Sequence, residues 1–448
     1  MNKIVKGKCV SLSSEGKGII KIDKDVIFVD SLLLGEEAEV EITYSRAGVN
    51  YGHIKKLLSF SKDRIIPKCP IATACGGCSF QNASYEYELR YKQNKVKEDL
   101  KRIGGIDIDV KPTLGMTEPY YYRNKIQVPF GKDRKHVIYG FYQTNTHRII
   151  PFKECYIESK ESGPILSAIA SLMESYHIDP YDEDKRVGII RHVLIRTSDA
   201  TKEIMVVLVT NGDYFPSRNG FIKDLRQKCP QISTIIQNFN PRKTNVILGN
   251  EERVLFGKGY IEDTILGLKF KISPKSFFQV NHTQTEVLYT NAINAAKLTK
   301  EDVVLDAYAG VATIGLLCAS KCKEVISVEL EHSAVINAKN NARNNNLHNI
   351  EIIEADCTKF INEYRPRVDV VIMDPPRKGS TSEFINAVMN IAPSRVVYVS
   401  CDPSTLARDL KLFSKKYKVA SVQPVDMFPR TYHVETVVSL ILRNSSLN

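Results

Sequence analysis

Val303-Val304-Leu305-Asp306-Ala307-Tyr308-Ala309-Gly310-Val311-Ala312-Thr313-Ile314-Gly315 is the stretch that decides how the C-terminal part of this 448-residue chain folds. Three apolar residues running into Asp306 read as a strand buried on both faces, the pattern of a parallel sheet. The small residues that follow let the backbone turn tightly and approach a ligand, and Thr313 onward reads as a helix. Further apolar runs follow at Glu324-Val328, Ile350-Glu354, Val368-Met373 and Arg395-Val399, with helical segments between them. Alternation of this kind from about residue 265 onward predicts a doubly wound, Rossmann-like parallel sheet. Val422-Pro424 and Val434-Leu442 read as final antiparallel strands.

Open α/β sheets bind ligands at the carboxyl ends of their strands, so the residues there carry the chemistry. Glu329 ends the second strand, where a carboxylate accepts hydrogen bonds from a ribose, and Asp356 follows the third, placed to hold an adenine amino group. Gly310-Val311-Ala312 lacks the glycine spacing of a diphosphate cradle. The form Asp306-x-x-x-Gly310 instead suits S-adenosylmethionine, which has no phosphates. The fourth strand runs into Asp374-Pro375-Pro376-Arg377. Enzymes that methylate exocyclic amines carry an aromatic residue after a similar Asp-Pro-Pro. Arg377 therefore argues against that chemistry and leaves Asp374 to face the cofactor or a target base.

The fifth strand ends at Ser400-Cys401-Asp402-Pro403. A helix starting at Pro403 is expected to lower the Cys401 pKa through the positive potential of its N-terminus. Glu435 follows in Tyr432-His433-Val434-Glu435-Thr436. A thiolate and a carboxylate in one cleft can attack a ring carbon and later remove a proton.

Residues 1–59 hold five short apolar runs separated by polar turns, the pattern of a small barrel of the oligonucleotide-binding type. Residues 60–112 form a cysteine-rich loop and a charged helix over Tyr85-Arg102, stopped at Gly104-Gly105. Residues 113–262 read as a mixed α+β domain, mostly strands around one helix at Pro164-Tyr176, and 263–448 as the parallel-sheet domain. Lys and Arg total 62 against 51 Asp and Glu, a net charge of +11 that favours a polyanionic partner. No apolar stretch is long enough to span a membrane and Met1-Lys6 lacks a signal core, so a cytoplasmic protein is expected.

Ten cysteines in such a chain read as thiols or metal ligands rather than as a disulfide framework. Cys69, Cys75 and Cys78 concentrate three soft ligands in ten residues, with Cys155 as a fourth. Four thiolates hold either zinc or an iron–sulfur cluster, and the three-plus-one arrangement fits the cubane better.

Together these segments resemble the RNA 5-methyluridine (uracil-C5) methyltransferases across essentially the whole chain. The motifs are Ser276-Phe277-Phe278-Gln279-Val280-Asn281, Asp374-Pro375-Pro376-Arg377-Lys378-Gly379, Ser400-Cys401-Asp402-Pro403 and His433-Val434-Glu435-Thr436. The resemblance implies that Cys401 is the nucleophile and Glu435 the general base. It also implies that Gln279, Tyr308, Gly310, Glu329, Asp356 and Asp374 lie against the cofactor or base, and that Cys69, Cys75, Cys78 and Cys155 ligate a [4Fe–4S] cluster. The barrel looks like the TRAM domain of the ribosomal-RNA branch. Members acting on tRNA generally lack both barrel and cluster, so 23S ribosomal RNA, bound by a monomer, is the expected substrate. Ala312 stands where the family loop usually has a third glycine, and its methyl is expected to crowd the methionine moiety. Competing readings are a tRNA uracil-C5 enzyme and a non-catalytic RNA-binding or ribosome-assembly factor. A DNA cytosine-C5 enzyme would present its nucleophile after proline, whereas Ser400 precedes Cys401.

Overall fold

The computed structural model describes residues 3–143, 146–244, 246–364 and 367–443. Ile4–Leu12, Gly18–Ile22, Asp25–Val29, Val49–Leu57 and Glu37–Arg46 close in that spatial order into a barrel around Cys9, Ile20, Ile27, Val29 and Val40. The barrel docks onto the helix Tyr85–Arg102, where Tyr91 Oη donates to Ser13 O (2.8 Å) and Leu34 N donates to Tyr87 Oη (2.9 Å). That helix follows from its ends. Ser84 Oγ accepts from Tyr87 N, acidic residues fill the first turn and basic ones the last, complementing the helix dipole.

The central sheet has seven strands in the order Glu251–Phe256, Thr234–Phe239, Ile204–Thr210, Ile190–Thr197, Lys125–Asp133, His136–Tyr142, Ile149–Pro151. The expected helix spans Ser162–Ser175, but a second, Arg218–Lys228, was not legible in the sequence. It buries only Phe221, Ile222 and Leu225 and contains Gly220, so its periodic signal is thin. It has to exist because Ile204–Thr210 and Thr234–Phe239 pair in parallel, which requires a crossover. One sheet face, with Leu194, Met205, Val207 and Ile236, shares a core with the C-terminal half. The hairpin Ile261–Ile265/Leu268–Ile272, also unanticipated, contributes Ile261, Ile265, Phe270 and Ile272 to that core.

The C-terminal sheet runs Ile350–Glu354, Glu324–Glu329, Val303–Ala307, Val370–Met373, Arg395–Ser400, Glu435–Leu442, Tyr417–Val425. The first five strands are parallel, and Glu435–Leu442 inserts antiparallel beside Arg395–Ser400. Strand order reverses at Val303–Ala307, whose two neighbours are Glu324–Glu329 and Val370–Met373. Ligand crevices in such sheets open at that switch point.

Candidate active site

The loop after Val303–Ala307 is held by its own hydrogen bonds. Asp306 is 2% exposed, and its Oδ2 accepts from Gly315 N (3.1 Å) and Ser327 Oγ (3.0 Å). Burial pushes its carboxyl up to about 7. A Cβ at Gly315 would sit 2.4 Å from Ser327 Oγ and 2.6 Å from Asp306 Oδ2, so no side chain fits there. Gly310 adopts φ +57° and its N–H donates to Glu329 Oε2 (2.7 Å), while Oε1 takes Leu330 N and Glu331 N. Glu329 is thus pinned at its strand end beside the loop. Tyr308 also has positive φ, and its hydroxyl meets Ser380 Oγ at 3.0 Å. Asp356 caps the helix Cys357–Tyr364 by accepting from Lys359 N (3.0 Å).

Ala312 corrects one expectation. Its methyl is fully buried in the core rather than crowding the cleft, and the cost falls on the backbone, held at φ +60°. A glycine would adopt that conformation without strain.

The opposite wall is built on the fourth, fifth and antiparallel strands. Ser400 pairs with Thr436 at the end of the ladder, and the adjoining Cys401 and Glu435 lie within electrostatic reach of each other. The Asp374–Gly379 loop is tied beneath them by the fully buried Asp409, which accepts from Ser380 N and Tyr398 Oη (both 2.7 Å). Thr405 Oγ1 donates to Arg377 O (3.2 Å), fixing that loop against the helix Pro403–Phe413. The Arg377 guanidinium lies within electrostatic reach of both the Cys401 thiol and Glu435.

The thiol does not behave as the sequence suggested. Burial, and then the charges of Glu435 and Asp374, push Cys401 up to about 11, against the pull of Arg377. The helix N-terminus does not rescue it, because Asp402 already caps it by accepting from Ser404 N and Thr405 N. Glu435, 6% exposed, is raised to about 8 by burial and then Asp374, and Asp374 to about 7 by burial and then Asp306.

Gln279 lies between the hairpin and the helix His282–Ala296, which Asn281 caps by accepting from Gln284 N (3.2 Å). Its side chain lies near the phenol of Tyr289, which is 4% exposed and senses both Asp374 and Glu435. The fold therefore gathers Gln279, Asp374, Cys401 and Glu435 in one place, with Arg377 and Tyr289 among them. Sequence reasoning treated Arg377 only as a missing aromatic and passed over Tyr289, a position that helical periodicity reads as core.

Cys69, Cys75, Cys78 and Cys155 are all free and partly exposed. Burial pushes each thiol up; Cys75 senses Cys69, Cys78 senses both, and Cys155 senses Cys78. Among the described residues, no three His, Cys, Asp or Glu side chains are drawn together as ligands for one metal ion. The expected quartet is therefore a neighbourhood of thiols on two segments rather than a tight single-ion set.

A strand order that reverses over an Asp-anchored small-residue loop, facing a cysteine and two carboxylates, fits an S-adenosylmethionine-dependent methyltransferase, and the comparisons with known proteins give that class. The family model described as tRNA (Uracil-5-)-methyltransferase matches residues 224–443. An uncharacterized RNA methyltransferase of Halalkalibacterium halodurans is 42% identical over 448 residues, covering 99% of this chain and 98% of that protein. One from Clostridium tetani is 44% identical over 431 residues, covering 95% and 94%. The crystal structure of Pyrococcus abyssi tRNA (uracil-54, C5)-methyltransferase in complex with S-adenosyl-L-homocysteine superposes with TM-score 0.80 at 26% identity, covering 98% of this chain and 100% of that one. The chain belongs to the RNA uracil-5-methyltransferase family. It is an S-adenosylmethionine-dependent enzyme acting on RNA.

Proposed function

We propose that this enzyme methylates C5 of a uridine in 23S ribosomal RNA, as a cytoplasmic monomer, through a covalent bond between Cys401 and C6 of the base. Uridine C5 is a weak nucleophile. Addition of the Cys401 thiolate to C6 turns the ring into an enolate with carbanion character at C5, splitting one difficult step into two easier ones. S-adenosylmethionine supplies the methyl group, held by Gly310, Tyr308, Glu329, Asp356 and Gln279. Glu435 then takes the C5 proton, and the C6–sulfur bond breaks to release 5-methyluridine. A buried carboxyl raised to about 8 is a stronger base once ionised than an ordinary one, which suits removal of a carbon-bound proton. Arg377 offsets the penalty on the thiolate. The target base must leave its stack to reach the sulfur.

The observations that support this reading are the ladder register that ends on Ser400 and Thr436 and the electrostatic reach of Glu435 to the adjoining Cys401 thiol. Cys69, Cys75, Cys78 and Cys155 hold a [4Fe–4S] cluster in this proposal, a group that cross-links their two segments. Barrel and cysteine group on one chain support ribosomal RNA, by the resemblance. A tRNA substrate is the second reading. It is favoured by the Pyrococcus abyssi enzyme, whose match spans 98% of this chain and so extends into the barrel. Methyl transfer from labelled S-adenosylmethionine to undermethylated 23S rRNA and to tRNA separates the two. Cys401→Ala abolishes transfer to either; normal activity in that variant would sink the covalent scheme.

A further inference from the structure

The cysteine-bearing segments lie far from the reaction in sequence, yet each is one hydrogen-bonded step from a wall of the active site. Cys155 opens a turn whose carbonyls are read by the segment Tyr121–Asn124. Tyr121 N donates to Tyr156 O (2.9 Å), Arg123 N to Ile157 O (2.9 Å), and Ser159 N back to Arg123 O (3.0 Å). The same segment then grips the chain around Gln279. Asn124 N donates to Val280 O (2.8 Å) and Asn124 Nδ2 to Gln279 O (3.1 Å).

On the other side, Ser79 N and Phe80 N, just after Cys78, both donate to Arg430 O (2.8 and 3.1 Å). Arg430 is 4% exposed and holds φ +70°, a left-handed conformation that a non-glycine residue keeps only when its surroundings over-determine it. Those surroundings include Glu88 Oε1, accepting from Arg430 N (2.8 Å), and Ala83 O, accepting from Arg430 Nη1 (3.1 Å). Five residues later the chain delivers Glu435.

Between these two struts stands Tyr122. It is 6% exposed, its backbone belongs to the segment that grips Gln279, and its hydroxyl donates to Pro429 O (3.0 Å) in the segment that leads to Glu435. It hydrogen-bonds none of the reacting groups. We infer that Tyr122 is a positioning residue that sets the distance between the Gln279 wall and the Glu435 wall, with each end of the tie suspended from a cysteine-bearing loop. Misplacing a general base by a fraction of the reach of a hydrogen bond slows proton removal while leaving substrate binding largely intact.

The inference rests on the covalent mechanism proposed above, and its test keeps the two apart. The full-length Glu435→Gln variant must first form an SDS-stable protein–RNA species; failure there counts against the mechanism itself, not against Tyr122. Tyr122→Phe then removes one hydroxyl and keeps the ring. Expected is a fall in kcat of about tenfold, the scale of one lost hydrogen bond acting on geometry, with KM for S-adenosylmethionine and for RNA within about twofold. The same variant should accumulate the SDS-stable species during turnover and show faster amide exchange confined to about residues 427–435. A purely structural role would lower the melting temperature and leave kcat per folded molecule unchanged, without adduct accumulation, and that result overturns the inference. Tyr122→Leu, which removes the ring as well, should reproduce the kinetic split if the tie matters; unchanged kcat in both variants is also fatal to it.

Discussion

The loop from Asp306 to Gly315 and the Cys401–Glu435 end of the same sheet solve opposite problems. On the loop side every carboxylate already has donors. Asp306 takes a backbone and a hydroxyl donor, Glu329 takes three backbone N–H groups, and Asp356 caps a helix. On the other side the buried Glu435 and the half-buried Asp374 stand beside a thiol, with Asp374 raising Glu435, both raising the thiol, and Arg377 opposing them. A binding loop benefits from being finished before its ligand arrives. A site that must move protons benefits from groups whose charged forms are held back, so that ionisation is available to the reaction rather than spent on stability.

This contrast breaks first at Glu435. Glu435→Gln should leave C6 addition possible and remove the base, slowing product formation by about 10²–10⁴-fold and trapping the adduct, read as a covalent RNA–protein band on denaturing gels. If this variant turns over normally, the proton leaves by another route. Next is the loop. Gly315→Ala forces a methyl against Ser327 Oγ and Asp306 Oδ2, so stability should fall by about 1–3 kcal/mol and S-adenosylmethionine affinity with it, measured by denaturant unfolding and calorimetry. An unchanged midpoint would mean that the loop is not braced as described.

Arg377→Ala should slow adduct formation by about tenfold at neutral pH, with the deficit shrinking toward high pH as the thiol ionises unaided. A deficit that does not depend on pH would assign Arg377 to RNA contact instead. The pH dependence of stability sharpens the same point. The Glu435 carboxyl is raised to about 8 in the folded chain, above its ordinary carboxyl range. The protonated form is the one that folding favours, so this contribution is full below that ordinary range and is lost as pH rises through about 8. Wild type should therefore lose stability between about pH 5 and about pH 8 more steeply than Glu435→Gln, as followed by urea unfolding. The smallest effect is expected at Ala312. Its φ of +60° makes Ala312→Gly neutral to stabilising by up to about 1 kcal/mol, and a clear loss of stability would show that the buried methyl outweighs the strain.

Much of this site was legible in the chain because strand ends announce themselves. An apolar run that stops at a polar residue locates Asp306, Glu329, Asp374 and Cys401 without any coordinates. The helix Tyr85–Arg102 was readable to the residue from its charges and the glycines after it. Arg218–Lys228 was not, since three buried apolar residues make little pattern, and neither was Tyr289, whose spacing marks it as core whether or not it faces a cleft. The ionisation of Cys401 went the wrong way for a physical reason. A helix N-terminus is a local feature, but its effect depends on what already occupies it, and here Asp402 does.

The order of apolar runs, the residues at their ends and the turn chemistry between them are local properties, and they determined the parallel sheet, the candidate thiol and carboxylate and the shape of the cofactor loop. Which groups face one another is a matter of distance through space, set by sheet register and by packing between segments hundreds of residues apart. Tertiary structure alone therefore decided that Glu435 and Arg377 both come within electrostatic reach of the Cys401 sulfur, and that Tyr122 spans from one wall to the other.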